Sequence, residues 1–205
     1  EHRFPFLKKV GDWNRFNRNT GGTLVEKCCH FFDLMNLVVP GKPVRALASG
    51  AQSVNHLDEV YNGEVPDIID NAYVIVEYDS GARAMLDLCM FAEGSKYEQM
   101  IAVTGDAGKL ETTVPGDALF MSKRERKSGK AVPIVMDPRV KHEGFHHGSS
   151  FLEHREFIDA IREGSAPSVT TRDGLMSVLV GVAAQQSIET GQAVNIDSLL
   201  QQHSA

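Results

Sequence analysis

The spacing of hydrophobic residues changes its period twice along the chain. Apolar residues recur at helical spacing from about Thr23 to Val38, and this segment stops before Pro40-Gly41, a pair that terminates helices. From Val44 the pattern alternates between apolar and polar positions, which is typical of strands, and helical spacing returns after Ser149. Residues 1–20 are a polar and aromatic loop without clear period, of a length that is often functional.

The alternating region contains a series of short strand-like segments. Asp79-Ser80-Gly81 and Gly105-Asp106-Ala107-Gly108 are hairpin turn sequences between pairs of them. Strands in series with short turns predict antiparallel pairing rather than parallel strands with crossover helices. The predicted strands are Val44–Ser53, Asn71–Tyr78, Ala82–Phe91, Tyr97–Thr104, Lys109–Val114, Ala118–Lys123, Ala131–Met136 and a short one at Val194–Ile196.

Two further helices are predicted after the strands. Ser149 or Ser150 is the expected N-cap of a helix over Phe151–Glu163, with Glu153 as its capping-box partner. The next helix covers about Arg172–Thr190. The fold class is therefore α+β, with a mostly antiparallel sheet and helices packed on one face.

Composition narrows the class of protein. The 205 residues carry a net charge of −6 with 42% hydrophobic residues, which is ordinary for a globular domain and argues against a nucleic-acid partner. No apolar stretch approaches the ~20 residues of a membrane span. Cys28, Cys29 and Cys89 lack the spacing of a disulfide framework, so we expect reduced thiols and a cytoplasmic location. Because the chain opens at Glu1 rather than Met, we expect it to be a piece of a longer protein.

Glu26, His30 and Asp33 form the strongest candidate constellation. Their i, i+4, i+7 spacing places them within about 60° of one another on one helical face. Histidine changes protonation near neutral pH, so His30 could exchange a proton with a substrate hydroxyl. The alternative is an ordinary ladder of ion pairs on a helix, and Lys27 is expected to extend to solvent. Adjacent helical residues such as Cys29 and His30 cannot chelate one ion together, so no metal site is predicted.

A second polar cluster lies on the loop before the predicted Phe151 helix. His142, His146 and His147 are close to a helix N-terminus, where hydroxyl-rich or anionic ligands are well received. The alternative is a polar loop that only supports the helix cap. No GxGxxG sequence or phosphate-loop sequence occurs, so these residues alone indicate no nucleotide site.

The glycine-led helix resembles a known family. Gly21-Gly22 followed by Glu26, His30 and Asp33 is similar to the C-terminal domain of the Gfo/Idh/MocA (glucose–fructose oxidoreductase and inositol dehydrogenase) family, whose acid at the position of Glu26 is usually Asp. The resemblance continues through Gly148-Ser149-Ser150-Phe151-Leu152-Glu153-His154, Phe157-Ile158, Asp173-Gly174-Leu175, Ala183-Ala184, Ser187-Ile188-Glu189 and Gly191-Gln192-Ala193-Val194.

This resemblance implies a fold and an activity. Members are NAD(P)-dependent oxidoreductases that act mostly on sugars and cyclitols, and they pair an N-terminal Rossmann domain with a C-terminal α+β domain built on a large open sheet. Residues 1–205 would then be a single substrate-binding and oligomerisation domain, with 1–20 as its substrate-side loop. The family's glycine fingerprint and Glu-Lys-Pro lysine are absent from this sequence. We therefore expect this chain alone to be inactive and not to bind NAD or NADP tightly.

The resemblance also implies residue roles. His30 matches the proton-handling histidine, Glu26 would orient or contact the substrate, and Asp33 would support them. Weaker substrate contacts are expected from Asn14 and Arg15 in the N-terminal loop, and from His146 and His147. The expected partners are a sugar or polyol, the Rossmann domain of the same protein, and a second copy that packs on the open sheet to form a homodimer or homotetramer. A non-catalytic ligand-sensing or interaction module of the same fold is the alternative.

Overall fold

A computed structural model describes residues 10–126 and 128–202, so the expectations for residues 1–9 lie outside the described part of the chain. A 3-10 turn at Val10–Arg15 is followed by helices α1 (Asn17–Thr20), α2 (Thr23–Glu26), α3 (Cys29–Val38), α4 (Ser149–Glu163), α5 (Thr171–Thr190) and α6 (Ile196–Gln202). The strands are β1 (Pro43–Ala51), β2 (Asn71–Tyr78), β3 (Arg83–Cys89), β4 (Gln99–Thr104), β5 (Gly108–Val114), β6 (Ala118–Lys123), β7 (Gly129–Pro133) and β8 (Val194–Asn195). None of the described helices is long and apolar enough to cross a bilayer.

The described residues form two compact units. The first contains residues 10–94 and 171–202, and its sheet has the strand order β3-β2-β1-β8. Every neighbouring pair in this sheet is antiparallel. Side chains alternate across the strands as the sequence pattern predicted: Ala46, Val74 and Leu86 are buried, while their chain neighbours Leu47, Ile75 and Met85 are exposed.

Helices cover one face of this first sheet. α5 packs on β1, where the Ser187 hydroxyl accepts a hydrogen bond from the backbone N–H of Ala48 at 2.9 Å. α3 packs on α5 and contributes the fully buried Phe32 to the core. Burying the apolar side of each of these elements supplies most of the free energy that stabilises this unit.

The second unit contains residues 95–126 and 128–170. Its antiparallel sheet has the order β4-β5-β6-β7, and α4 follows a 3-10 turn at Gly144–His146. No described side chain of this unit is fully buried, and every residue of α4 keeps part of its surface exposed.

The α+β class and the mostly antiparallel pairing predicted from the sequence are confirmed. The strands divide between two four-stranded sheets rather than one large sheet. The cap prediction for α4 is wrong: the helix begins at Ser149, and Gly148 with φ 86° precedes it without a side-chain cap. The Ser149 hydroxyl instead donates to the carbonyl of His146 at 2.8 Å, so it closes the preceding turn.

Candidate functional site

Two glycines set the direction of α2. Gly21 and Gly22 have φ values of 77° and 89°, a region that side chains with a Cβ rarely adopt. At Gly22 a Cβ would also lie 2.9 Å from the Asn17 side-chain oxygen. The Gly22 N–H donates to the Thr20 hydroxyl at 3.0 Å, and the Thr23 hydroxyl donates to the carbonyl of Ile69. The paired glycines therefore bring the chain into the helix at a fixed angle.

The prediction of one continuous helix from Thr23 to Val38 is wrong, because the helix is interrupted at Lys27–Cys28. The backbone N–H of Cys28 donates to the carbonyl of Thr23 at 3.2 Å, one residue further back than in an α-helix. This wider turn lets Leu24, Cys28 and Phe32, spaced by four residues each, all point into the core with no exposed surface. Burial, with the neighbouring Cys29, raises the pKa of the Cys28 thiol, so Cys28 is a neutral core side chain.

The interruption separates Glu26 from His30 and Asp33. Glu26 ends α2, while His30 and Asp33 lie on α3, so the single helical face assumed from the spacing is not continuous. The Glu26 side chain is only 15% exposed and pairs with the Lys27 ammonium group at 3.2 Å. The expectation that Lys27 extends to solvent is therefore wrong. His30 is exposed in the first turn of α3, and Asp33 is half-buried one turn further on.

The N-terminal segment buries both of its predicted contact residues. Asn14 is 0% exposed and Arg15 is 3% exposed. The Arg15 Nε donates to the Glu59 carboxylate at 2.9 Å, across 44 residues of sequence. The Arg15 Nη1 is also buried, and it has no hydrogen-bond partner among the described residues.

Glu59 is the centre of this cluster, and nothing in the sequence patterns singled it out. Its carboxylate also accepts a hydrogen bond from the Tyr61 hydroxyl at 2.8 Å and lies 2.9 Å from the His56 Nδ1. Burial raises the pKa of Glu59, but hydrogen bonds from His56, Tyr61 and Arg15 outweigh it and lower the pKa to about 2. Burial and the bond to Glu59 raise the pKa of Tyr61, against an opposing effect of Arg15. Glu59 is thus held as a carboxylate.

Further polar contacts attach residues 15–18 to the loop that follows β1. The Asn17 backbone N–H donates to the Asp67 carboxylate at 2.7 Å, and the Asn17 amide donates to the Asp67 carbonyl at 2.9 Å. Arg18 pairs with Glu64 at the surface, and its guanidinium stacks 4.5 Å above the ring of Phe16. These pairs lie about fifty residues apart in sequence, so they fix the predicted substrate-side segment only when the loop is folded.

Asp70 anchors the start of that loop. It is 1% exposed, and its carboxylate accepts the backbone N–H groups of Ser53, Val54 and Asn55 at 2.7–2.9 Å. The Asn71 amide donates to it at 2.8 Å. Burial acts to raise the pKa of Asp70, but these hydrogen bonds prevail and lower it. The Asp70 carboxylate therefore supplies acceptors for loop N–H groups that would otherwise lack a hydrogen bond.

The loop that contains His142, His146 and His147 belongs to the second unit. His146 lies with His142, Ser150 and His154 around an open pocket of ≈ 370 Å³ at the start of α4. The neighbouring His147 adopts φ 50° and does not line this pocket. Glu26, His30, Asp33, Asn14 and Arg15 all belong to the first unit.

Among the described residues no three His, Cys, Asp or Glu side chains are arranged to hold a metal ion. Every described strand pairing is antiparallel. A dinucleotide site of the Rossmann type needs parallel strands joined through a glycine-rich turn and a helix. The described residues therefore do not form a dinucleotide site of the Rossmann type.

This fold, with a helix led by two glycines and a histidine in its continuation, is that of the C-terminal α+β domain of an oxidoreductase family. The chain belongs to the Gfo/Idh/MocA family: residues 1–196 match the family model described as "Oxidoreductase family, C-terminal alpha/beta domain". The match extends over both units and confirms the family resemblance seen in the sequence.

Two inositol dehydrogenases are among the similar proteins. Myo-inositol 2-dehydrogenase of Thermotoga maritima is 26% identical over 190 residues, covering 89% of this chain and 52% of the relative. Scyllo-inositol 2-dehydrogenase (NAD(+)) of Bacillus subtilis is 24% identical over 186 residues, covering 89% of this chain and 50% of the relative. The chain therefore spans about half the length of these curated relatives.

Solved structures share the fold. An oxidoreductase domain protein from Kribbella flavida superimposes with a TM-score of 0.74 at 19% identity, over 95% of this chain and 55% of that protein. Levoglucosan dehydrogenase, solved with NADH and levoglucosan, gives a TM-score of 0.74 at 17% identity, over 95% of this chain and 57% of that protein.

Proposed function

We propose that this chain is the substrate-binding half of an NAD(P)-dependent dehydrogenase that oxidises a CH–OH group of a sugar, cyclitol or related polyol by hydride transfer. The observation that carries this proposal is the placement of His30, exposed in the first turn of α3 directly after the helix that Gly21 and Gly22 orient. Family membership supports it, as do the inositol dehydrogenases among its relatives.

His30 would take the proton of the substrate hydroxyl as the carbon is oxidised. An exposed imidazole can accept this proton and release it to solvent, and histidine is the side chain that most often acts as a general base. Glu26, largely buried and paired with Lys27, would orient the substrate or contact one of its hydroxyls. Asp33, half-buried on the next turn of α3, would support His30.

The other proposed substrate contacts differ in how firmly they are held. Asn14 and Arg15 are buried in a segment that carboxylates of the neighbouring loop fix, so their donors are preorganised. His146 and His147 are exposed on a loop of the second unit, and we assign them a weaker role.

The dinucleotide would be held by an N-terminal Rossmann domain of the same protein. The antiparallel strands described here do not form a Rossmann-type site, so no step of its chemistry is assigned to residues of this chain. We accordingly expect the 205-residue polypeptide to be inactive alone, whereas the whole protein should reduce NAD⁺ or NADP⁺.

We also propose that the outer face of the first sheet packs against a second copy in a homodimer or homotetramer. Leu47, Ile75 and Met85 lie side by side across three strands and are 40–64% exposed, with Tyr73 61% exposed beside them. Such a continuous apolar patch is costly in water. In the whole protein, Ile75→Lys should lower the mass measured by light scattering, while Val60→Lys, on an exposed loop, should leave it unchanged. Equal masses for both variants would contradict this interface.

Substrate screening with the whole protein tests the function. NADH or NADPH formation is measured at 340 nm with inositol isomers and aldoses, and we expect turnover with at least one of them. Cofactor binding without turnover would instead favour the ligand-sensing alternative. A ligand response that His30→Ala leaves unchanged would favour a pure interaction module.

A further inference from the structure

The guanidinium of Arg15 is buried beside its counter-charge, the partly exposed carboxylate of Glu59. Arg15 is 3% exposed, and its Nε donates to the Glu59 carboxylate at 2.9 Å. The Tyr61 hydroxyl and the His56 ring also contact this carboxylate, at 2.8 and 2.9 Å. These three contacts hold Glu59, and its negative charge matches the positive charge of Arg15.

One donor of this pair is left for a ligand. The Arg15 Nη1 is buried and has no hydrogen-bond partner among the described residues. A buried donor without a partner is unfavourable, so a ligand oxygen that reached it would recover the lost hydrogen bond. Arg15 also lies in the segment to which we assign substrate contacts.

The charges of Arg15 and Glu59 cancel, and this determines which kind of ligand oxygen the remaining N–H favours. An arginine without a counter-charge binds carboxylate or phosphate strongly, often through two parallel hydrogen bonds. Here Glu59 already occupies one edge of the guanidinium, and its charge opposes a second anion at short range. An uncharged hydroxyl accepts the remaining N–H without this repulsion.

We propose that Arg15 and Glu59 form an internally neutralised donor site that selects uncharged sugar or cyclitol hydroxyls over sugar acids and sugar phosphates. Glu59 acts through Arg15 and is a positioning residue. This inference rests on the proposed function, because it specifies the substrate class of the same site.

Charge selectivity of the whole protein tests the inference. Steady-state kinetics compare myo-inositol and D-glucose with D-glucuronate and D-glucose 6-phosphate, in wild type, Glu59→Gln and the matched control Glu64→Gln. Glu64 lies on the same loop as Glu59, but it pairs with Arg18 at the surface. We expect wild type and Glu64→Gln to prefer the neutral compounds. Glu59→Gln should shift the ratio of kcat/KM at least about tenfold toward the acidic compounds, mainly through KM, because one nearby negative charge is removed.

Two further measurements keep the inference testable. If Glu59→Gln does not fold, the double variant Arg15→Gln/Glu59→Gln removes both charges, and it should keep the neutral preference with a raised KM. If no compound is turned over, calorimetry measures binding of the same four probes. If wild type binds the neutral probes alone and Glu59→Gln shifts binding toward the acidic probes, the inference is supported. The proposed dehydrogenase function would still have failed in that case. An unchanged preference in Glu59→Gln, a wild-type preference for acids, or no binding of any probe would overturn the inference.

Discussion

Replacing Gly181 with alanine tests the contact that positions α2. Gly181 lies on α5, and a Cβ there would be 2.6 Å from the carbonyl oxygen of Leu24 and 3.2 Å from the Cα of Val25. Both partners are backbone atoms and cannot rotate away. Restoring an ordinary contact distance requires α2 to move by about 0.8 Å. Overpacking of this kind costs about 1–3 kcal/mol, and the better helix propensity of alanine returns about 1 kcal/mol. We expect a net loss of up to about 2 kcal/mol in the free energy of unfolding.

Gly174→Ala is the matched control on the same helix. A Cβ at Gly174 would meet nothing within 4 Å, so only the gain in helix propensity remains. Urea denaturation of the two variants should therefore give shifts of opposite sign: Gly181→Ala lowers the midpoint and Gly174→Ala raises it. In the whole protein, Gly181→Ala should also reduce kcat/KM, because α2 carries Glu26 and small displacements of site residues are costly. A Gly181→Ala variant as stable as wild type would refute the reasoning.

Two further predictions concern acids that are held by several hydrogen bonds. Asp70→Asn should destabilise by about 3 kcal/mol, because the new NH₂ group faces backbone donors that the carboxylate satisfied, whereas Asp79→Asn, at an exposed turn, should cost under about 1 kcal/mol in the same urea titration. The pKa of Glu59 lies below its ordinary 4.5, at about 2, so its contribution is complete above pH 4.5 and is lost as the pH falls toward 2. Between pH 6 and pH 3, the unfolding free energy of wild type should therefore fall by about 1–2 kcal/mol more than that of Glu59→Gln. The difference is no larger because solvent reaches part of the Glu59 side chain and screens its charge. Equal losses in both proteins would contradict that assignment.

Turn sequences in the chain predicted the positions of the hairpins. Asp79-Ser80-Gly81 joins β2 to β3 as expected, and Gly81 has φ 83°, which the turn requires. The interruption at Lys27–Cys28 could not be predicted, because it depends on how Cys28 packs against the core rather than on the propensity of its neighbours.

The candidate site was predictable only in part. The motif around Gly22 and His30 is contiguous in sequence, so spacing and family resemblance identified it. The pairing of Arg15 with Glu59 spans 44 residues and carries no periodic signal. Asp70 likewise lies next to a strand without any motif, although it organises the loop that holds the N-terminal segment. Such contacts follow from the tertiary fold, and no pattern in residues 58–67 indicated them.

The central claim is that His30 handles the substrate proton, and its replacement tests this most directly. In the whole protein, His30→Gln removes the proton acceptor at an exposed position, so folding and NADH affinity should stay unchanged. We expect kcat for the best polyol substrate to fall by roughly 10²–10⁴-fold, the usual contribution of a general base. Unchanged NADH binding with that loss would support the account. A kcat within about threefold of wild type would contradict it.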